Sequence, residues 1–486
     1  MDASITNEHG LGIIRQGVRF TRPRKNGHAL GTSAIFSATL RLANLNSTNG
    51  SANPPARVPG GFSIPETGLI KRKGKNMNSR RKWMILLAAA VALIIIPGAV
   101  LAQTTVKIGN ILPLSGPSAS VGLQNKQAQD MAIQEINDAG GIKSLGGAKI
   151  QMFYADSESK PEKGVAEAER FINTEKVNIL TGAWNSAVSY PVSAVAERYG
   201  IPFLVPVSVA DKITEQGYKY VFRIAAKDSW WTRDQFAFLK DMEKEFNTKV
   251  STVAFVYENG DWGKGFAEGW KKLAQQGGYK VVLDEPYPST ATDLSPVVQK
   301  IKRANPDVLF LTSNAADAIL LTNTMAEYKV KPKAIIASGG GHADPSFMKA
   351  AGKNAKYLFD IVEWETDVNK PGADKANEKF KKLYGYNLAG ESVDAYVAMY
   401  VLADALERAK STDPKAIREA LVTTKLNQGP AMIVGYDAIE FDASGQNKHA
   451  ALVMIQVNDI GKGMERITVW PKVSRRANYK PVFPTP

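Results

Sequence analysis

The sequence predicts an α/β chain built on two doubly wound parallel sheets, and three observations carry that reading. Beyond residue 102, short apolar runs alternate with amphipathic stretches, the pattern of strands and crossover helices that covers both faces of a parallel sheet. The 384 residues from 103 to 486 exceed what one core comfortably organises, so two such sheets are expected. The chain is 44% apolar and 22% charged, an ordinary globular balance.

Taken in order, residues 106–112 read as the first strand, and 125–137 as a helix with Ala128, Met131, Ala132 and Ile136 on one face. Residues 150–154 form the next strand. Pro161, well suited to a first helical turn, then opens a helix carrying Val165, Ala168, Phe171 and Ile172, which leads to a strand over 177–180. After another run at 202–205 the series restarts with a helix over 232–245 and a strand over 252–256. Strands over 281–283, 308–311, 334–337 and 357–362 follow, separated by helices such as 294–303 and 316–328.

Charge is unevenly distributed. The whole chain carries +14, but residues 1–102 hold 14 Lys/Arg against 3 Asp/Glu, leaving 47 against 44 beyond. The basic balance therefore does not describe the globular part, and nucleic acid is not an expected partner. Residues 77–102 read as a signal peptide: Arg80, Arg81 and Lys82, an apolar stretch over 84–96, the breakers Pro97 and Gly98, and Val100-Leu101-Ala102. That apolar stretch is shorter than the roughly 20 residues a bilayer span needs, so cleavage before Gln103 is expected. Residues 1–76 show no sustained helical or alternating pattern and read as disordered or as a mis-assigned upstream extension, with Met77 as the natural start. Lys71-Arg72-Lys73-Gly74-Lys75 can be encoded almost entirely by purines, as a ribosome-binding site read in frame would be.

Ligands of open parallel sheets bind beyond the carboxyl ends of the strands, which directs attention to five loops: 182–186, 206–209, 259–263, 312–314 and 338–341. Chemistry of reaction is poorly represented. With no cysteine, thiol nucleophiles, disulfides, cysteine-ligated metals and a lipoprotein anchor are excluded. Of the four histidines, His9 and His28 fall in the leader region, and His342 and His449 are too far apart to form a metal motif, each reading as a surface residue. Gly339-Gly340-Gly341 lacks the Gly-Lys-Ser/Thr ending of a phosphate loop. Asp156, Glu158 and Glu162 lie on hydrophilic stretches and read as solvated. No catalytic residue, metal site or cofactor is expected.

Several ordered motifs carry a resemblance: residues 108–117 (IGNILPLSGP), 135–142 (EINDAGGI), 200–203 (GIPF), 214–223 (TEQGYKYVFR), 439–445 (IEFDASG) and Ile455-Gln456. Over nearly the whole mature chain they resemble the leucine/isoleucine/valine-binding class of periplasmic solute-binding proteins of ABC importers, the type I periplasmic binding protein fold. The resemblance implies two lobes joined by a hinge, one of residues 104–228 plus 363–446 and the other of 229–362 plus 447–486. It further implies a monomer that closes on a small-molecule ligand and docks on inner-membrane permease subunits, and a periplasmic location.

What the resemblance implies for the site runs residue by residue. Ser186 matches a hydroxyl that holds the ligand carboxylate at a helix start, and a plain N-cap is the alternative role. Val207 matches a backbone carbonyl for the ligand ammonium. Val209 stands where many members have threonine, and Gly339 where leucine-binding members have glutamate. Both changes remove partners of an ammonium, whose burial without an anion is costly; Ser208 or Asp228 is a substitute partner, or else the ligand has no amine. Trp184 and Trp262 are read as ring contacts to the ligand and Asn314, in the loop 312–314, as a ligand-binding residue, while Trp230, Trp231 and Trp364 near the lobe crossings are read equally as inter-lobe packing. The expected function is capture of a small carboxylate-bearing solute, a branched-chain or other amino acid first, with an amine-free aromatic or aliphatic carboxylate, an amide, or a sensor domain on the same scaffold as alternatives.

Overall fold

A strand in a doubly wound sheet is buried on both faces, and the first one here meets that requirement. In strand β1 (Thr105–Leu112), Val106 and Ile108 pack with Ala128, Met131, Ala132 and Ile136 of helix α1 (Ala119–Asp138), and Ile111 packs on the opposite side with Phe171, Val188 and Val192. Gly109 lies on the Phe171 side, where a Cβ would stand 2.6 Å from that ring. The strand is thus close-packed enough to exclude even a methyl group.

The computed structural model describes residues 105–461 and 463–486; the readings of 1–76 and of 77–102 as a signal peptide lie outside the described residues. Strands β2 (Lys149–Asp156), β3 (Ile179–Gly182), β4 (Phe203–Val205) and β5 (Val221–Arg223) join β1 in a parallel sheet of order β2-β1-β3-β4-β5. Helices α2 (Pro161–Arg170) and α3 (Ser186–Tyr199) connect them.

The second sheet repeats that winding. Helix α4 (Asp228–Glu245) leads into β6 (Thr252–Glu258), α5 (Asp261–Gly277), β7 (Lys280–Tyr287), α6 (Ser295–Ala304), β8 (Val308–Thr312), α7 (Ala315–Glu327), β9 (Ala334–Ala337), α8 (Pro345–Ala351) and β10 (Phe359–Val362). These strands are parallel in the order β10-β9-β8-β6-β7, and an antiparallel hairpin, β11 (Val453–Asp459) and β12 (Met464–Trp470), extends the β10 edge. Helices α9 (Ala373–Tyr384), α10 (Gly390–Ala409) and α11 (Pro414–Val422) return to the first sheet, where α10 shares its core with α1.

The alternating α/β pattern matches the expectation from sequence, with differences that have local causes. The strand expected over 177–180 begins two residues later, because Phe171–Glu175 forms a π turn closed by Lys176 at φ 55°. β5 is three residues long, too short to show a period, and β11 and β12 were not separated from the surrounding sequence.

The chain passes between the sheets after β5, after β10 and before β11. Arg223, fully buried, ties two of these passages together: its Nε donates to Gln446 Oε1 (2.6 Å), one terminal nitrogen to Ala210 O (2.7 Å) and the other to Thr214 Oγ1 (2.9 Å). Gln446 and Asn447 in turn donate to the carbonyls of Ala225 (2.9 Å) and Ile224 (3.1 Å). Burial lowers the Arg223 guanidinium to about 10, yet its donors are met, as a buried charge requires.

Candidate functional site

In both sheets the winding reverses beside one strand, β1 in the first and β6 in the second. Such switch points open a crevice at the carboxyl ends of the strands. Here a cavity of about 180 Å³ is lined by those ends. From the first sheet come Ser118 after β1, Ser159 after β2, Trp184, Asn185 and Ser186 after β3, and Val207, Ser208 and Val209 after β4. The second contributes Asn259, Asp261 and Trp262 after β6, Ser289 after β7, Asn314 after β8 and Gly340 after β9. Glu258 ends β6, Glu363 follows β10, Trp231 belongs to α4 and Glu391 to α10.

Seven residues singled out from sequence therefore line one cavity: Trp184, Ser186, Val207, Ser208, Val209, Trp262 and Asn314. Trp231, read equally as packing, lines it too. Asp228 and Gly339 are not among the lining residues. Asp228 is buried beside Asp211 at the start of α4, and burial with that neighbouring carboxylate pushes its own carboxyl well up. It sits over Gly265, whose Cβ would fall 2.2 Å from Asp228 Oδ2. At Gly339, φ is +67° and a Cβ would stand 3.1 Å from the Trp231 ring, so any side chain there is strained and crowded. The edge of the Trp231 indole lies where a side chain at that position would begin.

Ser186 is the first residue of α3, not its cap; Asn185 holds the cap position and makes no side-chain cap bond. Ser186 Oγ instead accepts from the N–H groups of Val209 and Ala210, both at 3.2 Å. This joins the loops after β3 and β4 and leaves the hydroxyl proton and the positive end of α3 at the cavity. Ser208 Oγ donates to Trp184 O (2.8 Å) and lies 2.5 Å from Ser189 Oγ. Trp184 adopts φ 65°, a conformation costing on the order of 1–3 kcal/mol for a bulky residue. That bond and the one from its indole to Glu391 Oε2 (2.9 Å) fix the ring. The Trp231 indole N–H is engaged likewise, with Ala226 O at 3.1 Å. These two rings offer the cavity apolar faces rather than donors.

Of the acidic residues at the cavity, sequence reasoning reached Asp261 as part of the loop 259–263 and did not reach Glu258, Glu363 or Glu391. Glu258 accepts from Gly260 N (2.7 Å) and Gly263 N (2.8 Å), and Asp261 pairs with Lys212 at 3.0 Å. Glu391, besides Trp184, accepts from Gly340 N (2.8 Å), and burial raises it to about 7. Glu363 is 2% exposed, and among the described residues neither of its carboxyl oxygens has a hydrogen-bond partner from another residue. Burial, then the neighbouring Asp394 and Glu391, push its carboxyl well above the usual range. The rule that selected the other loops would have found it: Glu363 directly follows the apolar run of β10.

His342, read as a surface residue, is fully buried against Phe347, with neither ring nitrogen partnered among the described residues; burial lowers it to about 3. The sequence misled because a glycine run preceding His342 resembles an exposed loop, whereas Gly340–His342 is a tight 3-10 turn. His449 is exposed beside Glu440. Among the described residues no group of His, Asp or Glu is arranged to hold a metal ion, and no helix is long and apolar enough to cross a membrane.

Residues 105–462 match the family model for periplasmic binding proteins. The chain belongs to the periplasmic binding protein family. It is 30% identical over 398 residues to Leu/Ile/Val-binding protein homolog 7 of Brucella suis, covering 79% of this chain and 96% of that one. It is 30% identical over 379 residues to homolog 8 of Brucella melitensis, covering 76% and 92%. Among solved structures it resembles the leucine-binding protein of Thermotoga maritima (TM-score 0.66, 23% identity, 76% of this chain and 100% of that one). A solute-binding protein of Rhodopseudomonas palustris in complex with 3,4-dihydroxybenzoic acid is similar as well (TM-score 0.65, 19% identity, 75% and 96%). Both structures share the type I fold of this periplasmic binding protein, whose cavity lies between its two sheets.

Proposed function

We propose that this protein is the substrate-binding component of an ABC importer, capturing a small solute between two lobes and delivering it to permease subunits in the inner membrane. The lobes are residues 104–228 plus 363–446 and residues 229–362 plus 447–486. An amino acid is the first candidate, branched-chain ones foremost, as the names of the relatives indicate. The protein acts outside the cytoplasm as a monomer after signal-peptide cleavage, without cofactor and without catalysis.

One observation carries this reading: the cavity is walled by the carboxyl ends of both sheets, with indoles from each, Trp184 from the first and Trp231 and Trp262 from the second. A solute held there bridges both lobes, so binding and closure are linked. Contacts across the crevice already join them, Ser118 Oγ donating to Asn314 Oδ1 (3.3 Å) and Gln124 Nε2 to Asp344 Oδ2 (2.9 Å). The Ser186 hydroxyl and the start of α3 suit a carboxylate, and the acidic side chains opposite suit an amine.

Thermal unfolding against a solute panel tests the reading. A ligand binding only the folded state at about 100-fold over Kd adds roughly 2.7 kcal/mol. Branched-chain amino acids are expected to raise Tm, with Ser186→Ala weakening them by about 1–3 kcal/mol as a carboxylate loses its donor. A panel of amino acids, amides, benzoates and short fatty acids that leaves Tm unmoved rejects the amino-acid reading.

A further inference from the structure

Along the passage out of β10, the side chains Asp360, Glu363 and Glu365 are all buried, and of the three only Glu363 is among the residues that line the cavity. Arg466 on β12 serves the other two, Nη2 donating to Asp360 (3.0 Å) and Nε to Glu365 (2.7 Å). Glu363 has no counterpart. Its surroundings from α10 are Glu391 and Asp394, from the loop before β11 Tyr436, and from its own strand Asp360. Tyr436 donates to Asp394 Oδ1 (3.1 Å), and Asp394 Oδ2 has no partner. Gly390, whose Cβ would meet Glu363 Oε2 at 2.8 Å, lets the carboxyl lie against the start of α10. Among the described residues no lysine, arginine or histidine lines the cavity.

Two carboxyl oxygens buried without a donor carry a desolvation penalty that natural structures rarely leave unanswered. Neighbouring acids make the penalty larger. A group that answers those two oxygens is a donor, and Glu363 lines the cavity, where a ligand can bring one. We propose that Glu363 is the acceptor for a cationic nitrogen of the ligand, so that the solute is an aminium- or amidinium-bearing molecule and amine-free carboxylates are excluded. This rests on the solute-capture reading and narrows it. The nitrogen subsite then lies on the hinge passage, not at position 339 of the second sheet, where the indole of Trp231 stands in the way of a side chain. The faces of Trp184 and Trp231 suit the ligand's apolar body, or the cation itself.

Proton linkage follows. With Glu363 well above its usual range, the ligand-free protein holds a proton there that a cation displaces. While pH is below that group's titration in the free protein, affinity for an amine therefore rises about tenfold for each unit by which pH is raised, one proton being released per ligand bound.

The test is calorimetry on the purified full chain with probes matched except for nitrogen: leucine against 4-methylpentanoate, phenylalanine against 3-phenylpropionate, with phenethylamine and agmatine as amines lacking a carboxylate. Titrations in two buffers of different ionisation enthalpy count released protons. At least one amine-bearing probe is expected to bind, its deaminated partner at least 100-fold more weakly, with proton release. Glu363→Gln should weaken the amine by tenfold or more and abolish that release, while leaving far-ultraviolet dichroism unchanged. Equal binding of a deaminated acid overturns the inference and leaves solute capture standing. Should no probe bind, mass spectrometry of small molecules released on denaturing the purified protein decides: an amine-free solute sinks the inference alone, a nitrogenous cation whose rebinding survives Glu363→Gln sinks it too, and one lost in that variant supports it. Release of nothing, with every probe silent, overturns both.

Discussion

Asp360 and Glu363 lie three residues apart on the same passage, both buried, and are treated in opposite ways. Asp360 accepts from Arg466 Nη2 and from Gly339 N at 2.6 Å. Among the described residues no other side chain or backbone group donates to the Glu363 carboxyl. Burial still outweighs Arg466 enough to raise Asp360, but Glu363 is raised well above its range. Asp360 is answered by a cation of the fold, whereas Glu363, buried beside the cavity, is the carboxyl for which a ligand cation is proposed above. Each experiment below is arranged to separate these two cases.

The largest effect is expected at Arg466. Replacing it with methionine leaves Asp360 and Glu365 buried without a cation and removes the donor to His342 O (2.8 Å). Truncating one side of a buried ion pair costs about 3–5 kcal/mol, readable by urea unfolding. Glu363→Gln, by contrast, should leave ligand-free stability at neutral pH unchanged or raise it, because an uncompensated carboxyl is lost. Similar losses for both variants would abolish the distinction.

The second effect is pH dependence. Glu391 moves from 4.5 in the unfolded chain to about 7 in the folded one, and Glu363 and Asp394 move upward too, burial being the first cause in each. A raised acid holds more protons when folded, so its stability contribution is complete below about pH 4.5 and declines as pH rises through the folded value. One group shifted that far corresponds to on the order of 3 kcal/mol. Urea unfolding of the ligand-free protein should therefore show higher stability at pH 5 than at pH 8, with a shallower slope in Glu363→Gln. A flat profile in the parent would mean that solvent or an ion already relieves the cluster.

How much of this was legible in the sequence can be argued from particular residues. Strand and helix alternation, and the rule that ligands sit beyond carboxyl ends, led to Trp184, Ser186, Val207, Ser208, Val209, Trp262 and Asn314, because those residues are close in sequence to the strands that position them. Glu391 opens α10, in chain order far from β3, and only the return of α10 to the first sheet brings it to Trp184. An acidic residue in a first helical turn reads as a favourable dipole contact, which concealed it. Asp228 pointed the other way for the same reason: its position at the crossing was legible, but the direction of its side chain toward Asp211 depends on packing against α5.

The smallest effects concern closure, and here too a buried contact and an exposed one can be set side by side. Gln124 Nε2 donates to Asp344 Oδ2 inside the crevice (2.9 Å), and Lys212 reaches Asp261 at its rim (3.0 Å), with side chains 44% and 32% exposed. Asp344 also caps α8 through Ser346 N (2.7 Å), so Gln124→Ala leaves one oxygen of a buried cap unpaired, at about 1–3 kcal/mol. Lys212→Ala removes a solvated pair, typically below about 1 kcal/mol. Since each contact joins the two lobes, these losses fall on the closed form. Small-angle scattering without ligand should show a larger radius of gyration in Gln124→Ala, and in Lys212→Ala a change that vanishes at high salt. Unchanged scattering in both would place the energy of closure in the solute and in Glu363, which faces it, rather than in the contacts around the rim.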